Sequence, residues 1–268
     1  VSLACLAQLS GQDFLHHEVQ ILVVDHGTND ATTTAIREQF PDVTTIRASS
    51  NLWWSGAINV GVEYALKESF DGVVFLNDDL EFERDTFKNL FAAVDAAPQA
   101  MISAIKLEKD RASNLIITAG FQLAGFLQEM KNPYQGKRYN SAEMDELLEA
   151  DILTGSTLYI PTTVFHAIGG IDEKRFPHNW GDLDFTFRAR KAGFNAFVAT
   201  KSITRTDYNP NYHRFFYLKS SKAAYLKNLF DVHRYSYGYR FLFRASFAHR
   251  PMLKGVIVYS KGFVRLTL

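Results

Sequence analysis

The sequence has a single cysteine and no long apolar run. With only Cys5 present, an intramolecular disulfide is excluded, and this cysteine usage is typical of a reducing compartment. No apolar run approaches the roughly 18 residues of a membrane span, and no signal peptide is recognisable. Internal repeats and low-complexity segments are absent too. These absences predict a cytoplasmic protein that is soluble or bound peripherally to the inner face of the plasma membrane.

The formal net charge is zero, although the charges are unevenly distributed along the chain. The chain has 29 basic and 29 acidic side chains. From Tyr212 to the end there are eleven Lys or Arg residues and one acid, Asp231, so this segment carries +10 and the rest −10. We therefore predict a body of residues 1–211 and a basic, aromatic, helical extension of residues 212–268.

The composition of the extension suits an amphipathic element lying on an anionic membrane. Packing on the body, or on a second copy in a homodimer, is the alternative. Nucleic-acid binding uses similar compositions, but the acidic body argues against it.

Short apolar segments alternate with amphipathic ones throughout the body. A hydrophobic content of 47% is ample for a packed core. Strands are predicted at 19–24, 43–47, 73–76, 150–160 and 196–199, and helices at 1–9, 32–40, 57–67, 84–96, 163–168 and 183–192. This alternation predicts an α/β fold with a mostly parallel sheet flanked by helices.

The most informative segment is the strand Val73–Leu76 followed directly by Asn77-Asp78-Asp79. Open α/β sheets bind ligands at the carboxyl ends of their strands. Two adjacent acids there repel each other unless a cation shares them, and Mg²⁺ or Mn²⁺ favours such oxygen ligands. The alternative is an Asp-rich turn in which Asp78 or Asp79 caps the next helix.

Several polar segments occur in a fixed order along the body. They are Asp25 at a strand end, the segment from Asn51 to Gly61, Asn77-Asp78-Asp79, Thr154-Gly155-Ser156, Gly169-Gly170-Ile171-Asp172-Glu173 and Trp180-Gly181-Asp182-Leu183-Asp184. As an ordered set, over about residues 1–218, they resemble the family 2 glycosyltransferases, which have a Rossmann-like GT-A fold. Within that family the chain looks most like rhamnosyltransferase-like enzymes that build bacterial surface polysaccharides such as O-antigen.

The resemblance implies a metal-dependent transfer of a sugar from a nucleotide diphosphate, with Mg²⁺ or Mn²⁺ as cofactor. It implies that Asp79 binds the metal and that Asp78 assists or contacts the ribose. Asn77 stands where the family has its first acid, which weakens a two-carboxylate site.

The resemblance also implies nucleotide-sugar contacts. It assigns them to Asp25, Asn51, Trp54, Asn59, Asn77, Asp78, Gly155 and Trp180. Other interpretations of three of these stay open: Asp25 as the cap of its turn, Trp54 as a core residue, and Gly155 as part of a β-bulge.

Asp182 is the implied catalytic base, which accepts the proton of the acceptor hydroxyl. One base and no protein nucleophile imply inversion of configuration. The family usually has Glu-Asp here, whereas this chain has Gly181-Asp182.

A second departure concerns the start of the sheet. Family members begin with a strand, and residues 1–9 resemble the helix that follows it. We expect the corresponding strand to lie before Val1. The expected activity is transfer of a sugar, with rhamnose as the first candidate, from a dTDP or UDP donor to a glycan or lipid-linked acceptor.

Rival functions are a non-catalytic sugar-binding module on a decayed transferase fold and a sugar nucleotidyltransferase. The latter requires a glycine-rich phosphate loop after its first strand. A nicotinamide dehydrogenase is disfavoured because no G-x-G-x-x-G follows a strand.

Overall fold

The computed structural model describes residues 1–207, 246, 248, 249 and 251–267. Its helices are α1 Ser2–Leu9, α2 Ala31–Gln39, α3 Trp54–Lys67, α4 Thr86–Ala96, α5 Thr162–Ile168, α6 Gly181–Lys191 and α7 Met252–Thr267, with a 3₁₀ turn at Ser141–Glu143. Its strands are β1 Leu22–Asp25, β2 Thr44–Arg47, β3 Gly72–Leu76, β4 Glu81–Phe82, β5 Met101–Glu108, β6 Ile116–Thr118, β7 Gln122–Ala124, β8 Glu129–Lys131, β9 Leu147–Glu149, β10 Thr157–Pro161 and β11 Ala196–Thr206.

The central sheet has the order β3-β10-β5-β11-β4, with β6 added to β5 and β9 added to β11. Strand β10 is antiparallel to both β3 and β5, and β5 is parallel to β11. Strands β3, β5 and β11 therefore point the same way, and their carboxyl ends lie at one edge of the sheet. The predicted α/β class is confirmed, with a mixed central sheet.

Strands β1 and β2 form a separate parallel pair in which Asp25 lies opposite Arg47. Within the described ranges, β1 pairs only with β2, and β3 pairs only with β10. Each of these strands thus keeps one edge without a strand partner. The additional strand that the resemblance implies stays a prediction.

Helices cover both faces of the sheet, because alternate residues of β5 enter different clusters. Met101, Ile105 and Leu107 pack with Phe185 of α6 on one face. Ile102 packs on the other face with Leu90 of α4 and with residues of α1. This alternation is the period of two expected for a strand buried on both sides.

Strand β11 is longer than the predicted 196–199, since its polar residues are buried but hydrogen-bonded. Thr200 Oγ1 donates to the Asp145 carbonyl at 2.8 Å, and Ser202 Oγ donates to the Thr86 carbonyl at 2.8 Å. Hydroxyls satisfied in this way can be buried in a strand at little cost. The pattern of apolar residues alone could not show this.

Helix α7 is the best-described part of the predicted extension. Its Lys254 ammonium lies 4.0 Å from the ring centroid of Phe126, in the turn between β7 and β8. Lys261 Nζ lies 3.1 Å from Glu129 Oε1 on β8. The part of this helical prediction that covers residues 212–245 lies outside the described residues. Among the helices the structure describes, none has the length and apolarity to cross a bilayer.

Candidate active site

The loop after β3 holds two exposed acids. Asp78 accepts a hydrogen bond from Ser2 Oγ, whereas Asp79 makes no hydrogen bond or ion pair within the described part of the chain. Helix α4 begins later, at Thr86, so neither acid caps it. The helix-cap alternative is therefore excluded, and the Asp79 carboxylate is open to a cation.

Asn77, before these acids, connects the loop to α3 and β10. Its Oδ1 accepts a hydrogen bond from Trp54 Nε1 at 3.1 Å, and its N–H donates to the Ser156 carbonyl at 3.4 Å. The Trp54 indole also meets Phe75 edge-on at 6.1 Å between centroids. Trp54 thus packs in the core and fixes the polar loop with its ring N–H.

Asp182 lies in the first turn of α6. Its Oδ2 accepts the Gly155 N–H at 2.7 Å, and its Oδ1 accepts the Leu183 N–H at 2.9 Å. Burial raises the pKa of Asp182, against the opposing effect of these N–H donors and of the Lys106 ammonium. A carboxylate with a raised pKa takes a proton more readily than an exposed one, which suits a general base.

Two glycines leave space around this carboxylate. A Cβ on Gly155 would lie 2.9 Å from Asp182 Cβ and 2.9 Å from Trp54 Cη2. A Cβ on Gly181 would lie 2.4 Å from Ser55 Oγ. The glycine at position 181, where the family usually has Glu, therefore has a steric reason. Helix α3 packs too closely against the start of α6 for a side chain there.

Lys106, on β5, is a site residue that the sequence analysis missed. Burial lowers the pKa of Lys106, and the Asp182 and Asp79 carboxylates oppose that shift. The Lys106 ammonium thus lies within electrostatic reach of both acids. The available signal was that Lys106 is the one charged residue in the run Met101–Leu107.

Asp25 forms its own buried cluster at the end of β1. It accepts hydrogen bonds from Thr33 Oγ1 at 2.6 Å and from the Gly27 N–H at 2.9 Å, and Arg47 Nη1 lies 2.9 Å away. Burial acts to raise the pKa of Asp25, but these three partners outweigh it and hold the pKa below its ordinary value. The carboxylate thus organises the turn at Gly27, as the capping alternative holds, and its contact with a nucleotide stays a prediction.

Two predicted contacts lie in other polar settings. Asn51 is exposed, and its N–H donates to Ser49 Oγ at 3.3 Å. The Asn59 amide binds both backbone groups of Ile171, at 2.9 and 3.0 Å, and Glu173 Oε2 at 2.9 Å. Asn59 therefore holds the segment after α5 in place, and its nucleotide contact is untested.

A small, mostly apolar pocket lies beside the start of α6. Trp180, which has a left-handed backbone (φ 69°), contributes to its wall. The other described lining residues are Leu123, Gln128, Met130, Ile152, Phe176, Leu183, Asp184, Phe187, Ala248 and His249. Leu183, Asp184 and Phe187 lie on one face of α6, whereas Asp182, which does not line the pocket, lies on another face and points to Gly155.

A buried ion cluster closes one side of this cavity. Asp184 Oδ1 lies 2.7 Å from His249 Nε2, and Asp184 Oδ2 accepts from Arg188 Nε at 2.8 Å. Burial acts to raise the pKa of Asp184, but these two partners hold it below its ordinary value. His249 thereby connects the carboxyl-terminal segment to α6.

Comparison with known sequences identifies relatives of this chain. The family described as glycosyl transferase family 2 matches residues 3–142. The low-salt glycan biosynthesis hexosyltransferase Agl10 of Haloferax volcanii is 27% identical over 159 residues, which cover 58% of this chain and 48% of that protein. The N-acetylglucosaminyl-diphospho-decaprenol L-rhamnosyltransferase of Mycobacterium tuberculosis is 24% identical over 193 residues, or 66% of this chain and 62% of that protein. The chain thus spans about half to two thirds of these curated relatives.

Solved structures of glycosyltransferases share the fold. The mannosyltransferase PcManGT of Pyrobaculum calidifontis, in complex with GDP-Man and Mn²⁺, has a TM-score of 0.54 and 15% identity over 99% of this chain and 76% of that chain. GalNAc-T7 with UDP, GalNAc and Mn²⁺ has a TM-score of 0.54 and 11% identity over 71% of this chain and 38% of that chain. These likenesses confirm the predicted GT-A fold.

Proposed function

Because this chain belongs to glycosyl transferase family 2, we propose that it is a metal-dependent, inverting glycosyltransferase. It moves a sugar, with rhamnose as the first candidate, from a dTDP or UDP donor to a hydroxyl of a glycan or lipid-linked acceptor. The supporting observation is a continuous set of contacts, in which Asn77 binds Trp54, Trp54 packs on Gly155, and Gly155 binds Asp182. This chain of contacts supports a single cleft that holds the acids of the β3 loop and the Asp182 carboxylate.

The donor set of the β3 loop fits a hard divalent cation. Asp79 offers an exposed carboxylate with no protein partner in the described residues, and Asn77 follows the same strand. When bound, Mg²⁺ or Mn²⁺ supplies positive charge that stabilises a departing diphosphate. Two fold neighbours were solved with Mn²⁺, which is consistent with this cofactor.

Asp182 carries the proton transfer. As the acceptor oxygen bonds to the anomeric carbon, its proton passes to the Asp182 carboxylate. The bond from that carbon to the diphosphate breaks on the opposite face, and its electron pair leaves with the diphosphate. One displacement without a protein nucleophile inverts the anomeric configuration.

The pocket lined by Trp180 and Leu183 is our candidate for a part of the acceptor remote from the reacting hydroxyl, because Asp182 lies on another face of α6. Its apolar wall and indole suit a sugar face or a lipid-linked group. A relative whose printed name includes a diphospho-decaprenol substrate supports a lipid-linked acceptor.

A membrane location would serve such an acceptor. Helix α7 exposes Met252, Leu253, Val256 and Ile257 at helical spacing, and Phe126 is exposed beside it. With the +10 charge of residues 212–268, this apolar stripe suits an anionic bilayer surface. A homodimer interface on the same stripe is the competing occupant.

The decisive experiment is a calorimetric panel of nucleotide sugars, including dTDP-rhamnose, UDP-glucose and GDP-mannose, with and without Mn²⁺. The proposal is supported if one nucleotide sugar binds only with the metal and is converted when a lipid-linked or glycan acceptor is present. NMR of the product reports its anomeric configuration. Binding without turnover would instead indicate a sugar-binding module. Formation of a nucleotide sugar from a sugar phosphate would indicate a nucleotidyltransferase.

A further inference from the structure

Lys106 has hydrogen-bond donors that no described residue accepts. Its side chain is partly buried in β5, yet it makes no hydrogen bond or ion pair with any described residue. Thr118, directly across from it on β6, is 6% exposed, and its Oγ1 also has no protein partner. Nearby, Asn132 Nδ2 donates to the Ile117 carbonyl at 2.8 Å, while its buried Oδ1 has no partner within the part of the chain that the structure describes. Buried polar groups without partners are rare in folded proteins.

The strand directions bring Lys106 and the proposed reacting groups toward the same edge of the sheet. Leu158 of β10 lies opposite Ser103 of β5 in an antiparallel pair. Lys106 lies three residues after Ser103 on β5, and Gly155, whose N–H binds Asp182, lies three residues before Leu158 in the turn that precedes β10. On the other side of β10, the Ser156 carbonyl accepts the Asn77 N–H from the metal-binding loop. Lys106 therefore lies toward the edge of the sheet where β3 and β5 end and where the turn at Gly155 begins.

The chemistry of these free groups discriminates between ligands. The ammonium offers three donors, the hydroxyl offers a donor and acceptors, and Asn132 Oδ1 is an acceptor only. A phosphate needs donors alone and would be repelled by Asp182 and by an amide oxygen. Sugar hydroxyls both donate and accept, so they match the mixed set. In an in-line transfer the donor sugar lies between the leaving diphosphate and the attacking hydroxyl, hence between Asp79 and Asp182.

We propose that Lys106 and Thr118 form a subsite that binds the hydroxyl groups of the donor sugar. This inference depends on the proposed glycosyl transfer, since it assigns a part of the same cleft. The subsite acts on the sugar and not on the nucleotide. It therefore contributes to donor specificity and leaves binding of the free nucleoside diphosphate unchanged.

The test compares Lys106→Met and Thr118→Val with the wild type in binding two matched ligands in the presence of Mn²⁺. The ligands are a nucleotide sugar selected by the panel, such as dTDP-rhamnose, and its nucleoside diphosphate, such as dTDP. We expect Lys106→Met to weaken binding of the nucleotide sugar about tenfold to a hundredfold and to leave nucleoside diphosphate binding within about twofold. Thr118→Val should follow the same pattern with about a threefold to tenfold loss. Lys109→Met is the matched control, because Lys109 is outside the cleft and pairs with Glu81 and Asp207.

Thermal unfolding separates this role from a structural one. The partly buried Lys106 ammonium makes no hydrogen bond or ion pair with a described residue, so its loss should cost little and Lys106→Met should keep or raise the melting temperature. A clear fall in melting temperature with equal losses for both ligands would overturn the proposal. Equal weakening of both ligands without such a fall would assign Lys106 to the diphosphate and would overturn it too.

The remaining outcomes separate this inference from the proposed function. If the wild type binds and consumes a nucleotide sugar while Lys106→Met binds it equally well, only the subsite is refuted. If Lys106→Met instead raises only the KM for the acceptor, the subsite belongs to the acceptor and the proposal is wrong. If the wild type binds no nucleotide sugar with any metal, the glycosyl transfer and the subsite fall together.

Discussion

The backbone N–H of Gly155 donates to Oδ2 of Asp182 at 2.7 Å, and the two residues approach so closely that Gly155 has no room for a Cβ. This contact orients the carboxylate while Leu183 N–H holds its second oxygen. The proposed base is therefore fixed by backbone groups from two different segments. Its position is set before any substrate binds, which is the pre-organisation that acid–base catalysis requires.

Gly155→Ala should disrupt this arrangement. The new methyl group would contact Asp182 Cβ and the Trp54 ring at 2.9 Å, so we expect a loss of about 1–3 kcal/mol in the free energy of unfolding. Transfer activity should also fall, by more than the loss of folded protein explains, because Asp182 is displaced. Gly61→Ala is the control, since a Cβ there meets only ordinary contacts at 3.6 Å or more and lies inside α3. Chemical denaturation and initial rates measure the two effects, and an unchanged rate in Gly155→Ala would contradict the assignment.

Asp182→Asn should lower kcat by about 10²–10⁴ while donor binding is retained, because the amide cannot accept the acceptor proton. Full activity in this variant with intact donor binding would exclude Asp182 as the base.

The pH profile gives an independent test of the same residue. Burial raises the pKa of Asp182 above its ordinary value of 3.8, and the base works only when deprotonated. The acidic limb of kcat/KM should therefore lie at a higher pH than an exposed aspartate would give. Because the Lys106 charge lowers the pKa of Asp182, Lys106→Met should move that limb to still higher pH. If the acidic limb does not move in Lys106→Met, or lies at the ordinary aspartate value in the wild type, Asp182 is not the base.

Asp25 should contribute stability that depends on pH. Its partners Thr33, Gly27 and Arg47 hold the folded-state pKa below 3.8 despite burial. Such a group stabilises the fold above the unfolded-state pKa, and the stabilisation is lost as pH falls through the folded-state value. We expect Asp25→Asn to cost about 2 kcal/mol at pH 7, with the difference from the wild type narrowing on acidification below pH 4.

Urea unfolding at several pH values measures this difference. Asp30→Asn is the control, since Asp30 is exposed at the start of α2 and its side chain makes no capping bond. A difference between Asp25→Asn and the wild type that stayed constant with pH would show that the carboxylate charge is not what stabilises the turn.

The sequence was informative where local chemistry and chain order decide the structure. The strand before Asn77, the fold class and the family were all predicted, because apolar runs ending in acids are local signals. The contact between Gly155 and Asp182 depends on the packing of β10 against α6, residues far apart in the chain, and spacing alone cannot reveal it. Lys106 was missed for the same reason, since the acids that act on its charge, Asp182 on α6 and Asp79 after β3, are distant from it in the sequence.

Helix α7 provides a prediction about the membrane surface. Replacing exposed Leu253 with Glu places a charge in the apolar stripe, which should weaken binding to vesicles of mixed anionic and neutral lipid about tenfold or more. The fold should be unaffected, because this side chain is 70% exposed. Co-sedimentation with anionic and with purely neutral vesicles measures the effect, and Gln39→Glu, at an exposed position of α2, is the control for added charge. A stripe that mediates dimerisation would instead make Leu253→Glu monomeric in analytical ultracentrifugation without changing vesicle binding.

Metal binding tests the other end of the cleft. Asp79→Asn removes the one carboxylate of the β3 loop that has no partner among the described residues, so we expect the Mn²⁺-dependent part of nucleoside diphosphate binding to be lost. Asp78→Asn should have a smaller effect, since that carboxylate is already bound by Ser2. Asp85→Asn, at the exposed start of α4, is the control for removing a negative charge nearby. Calorimetric titrations with and without EDTA measure these affinities. If Asp79→Asn keeps the full Mn²⁺ dependence of the wild type, the cation is held elsewhere and the assignment of the β3 loop is wrong.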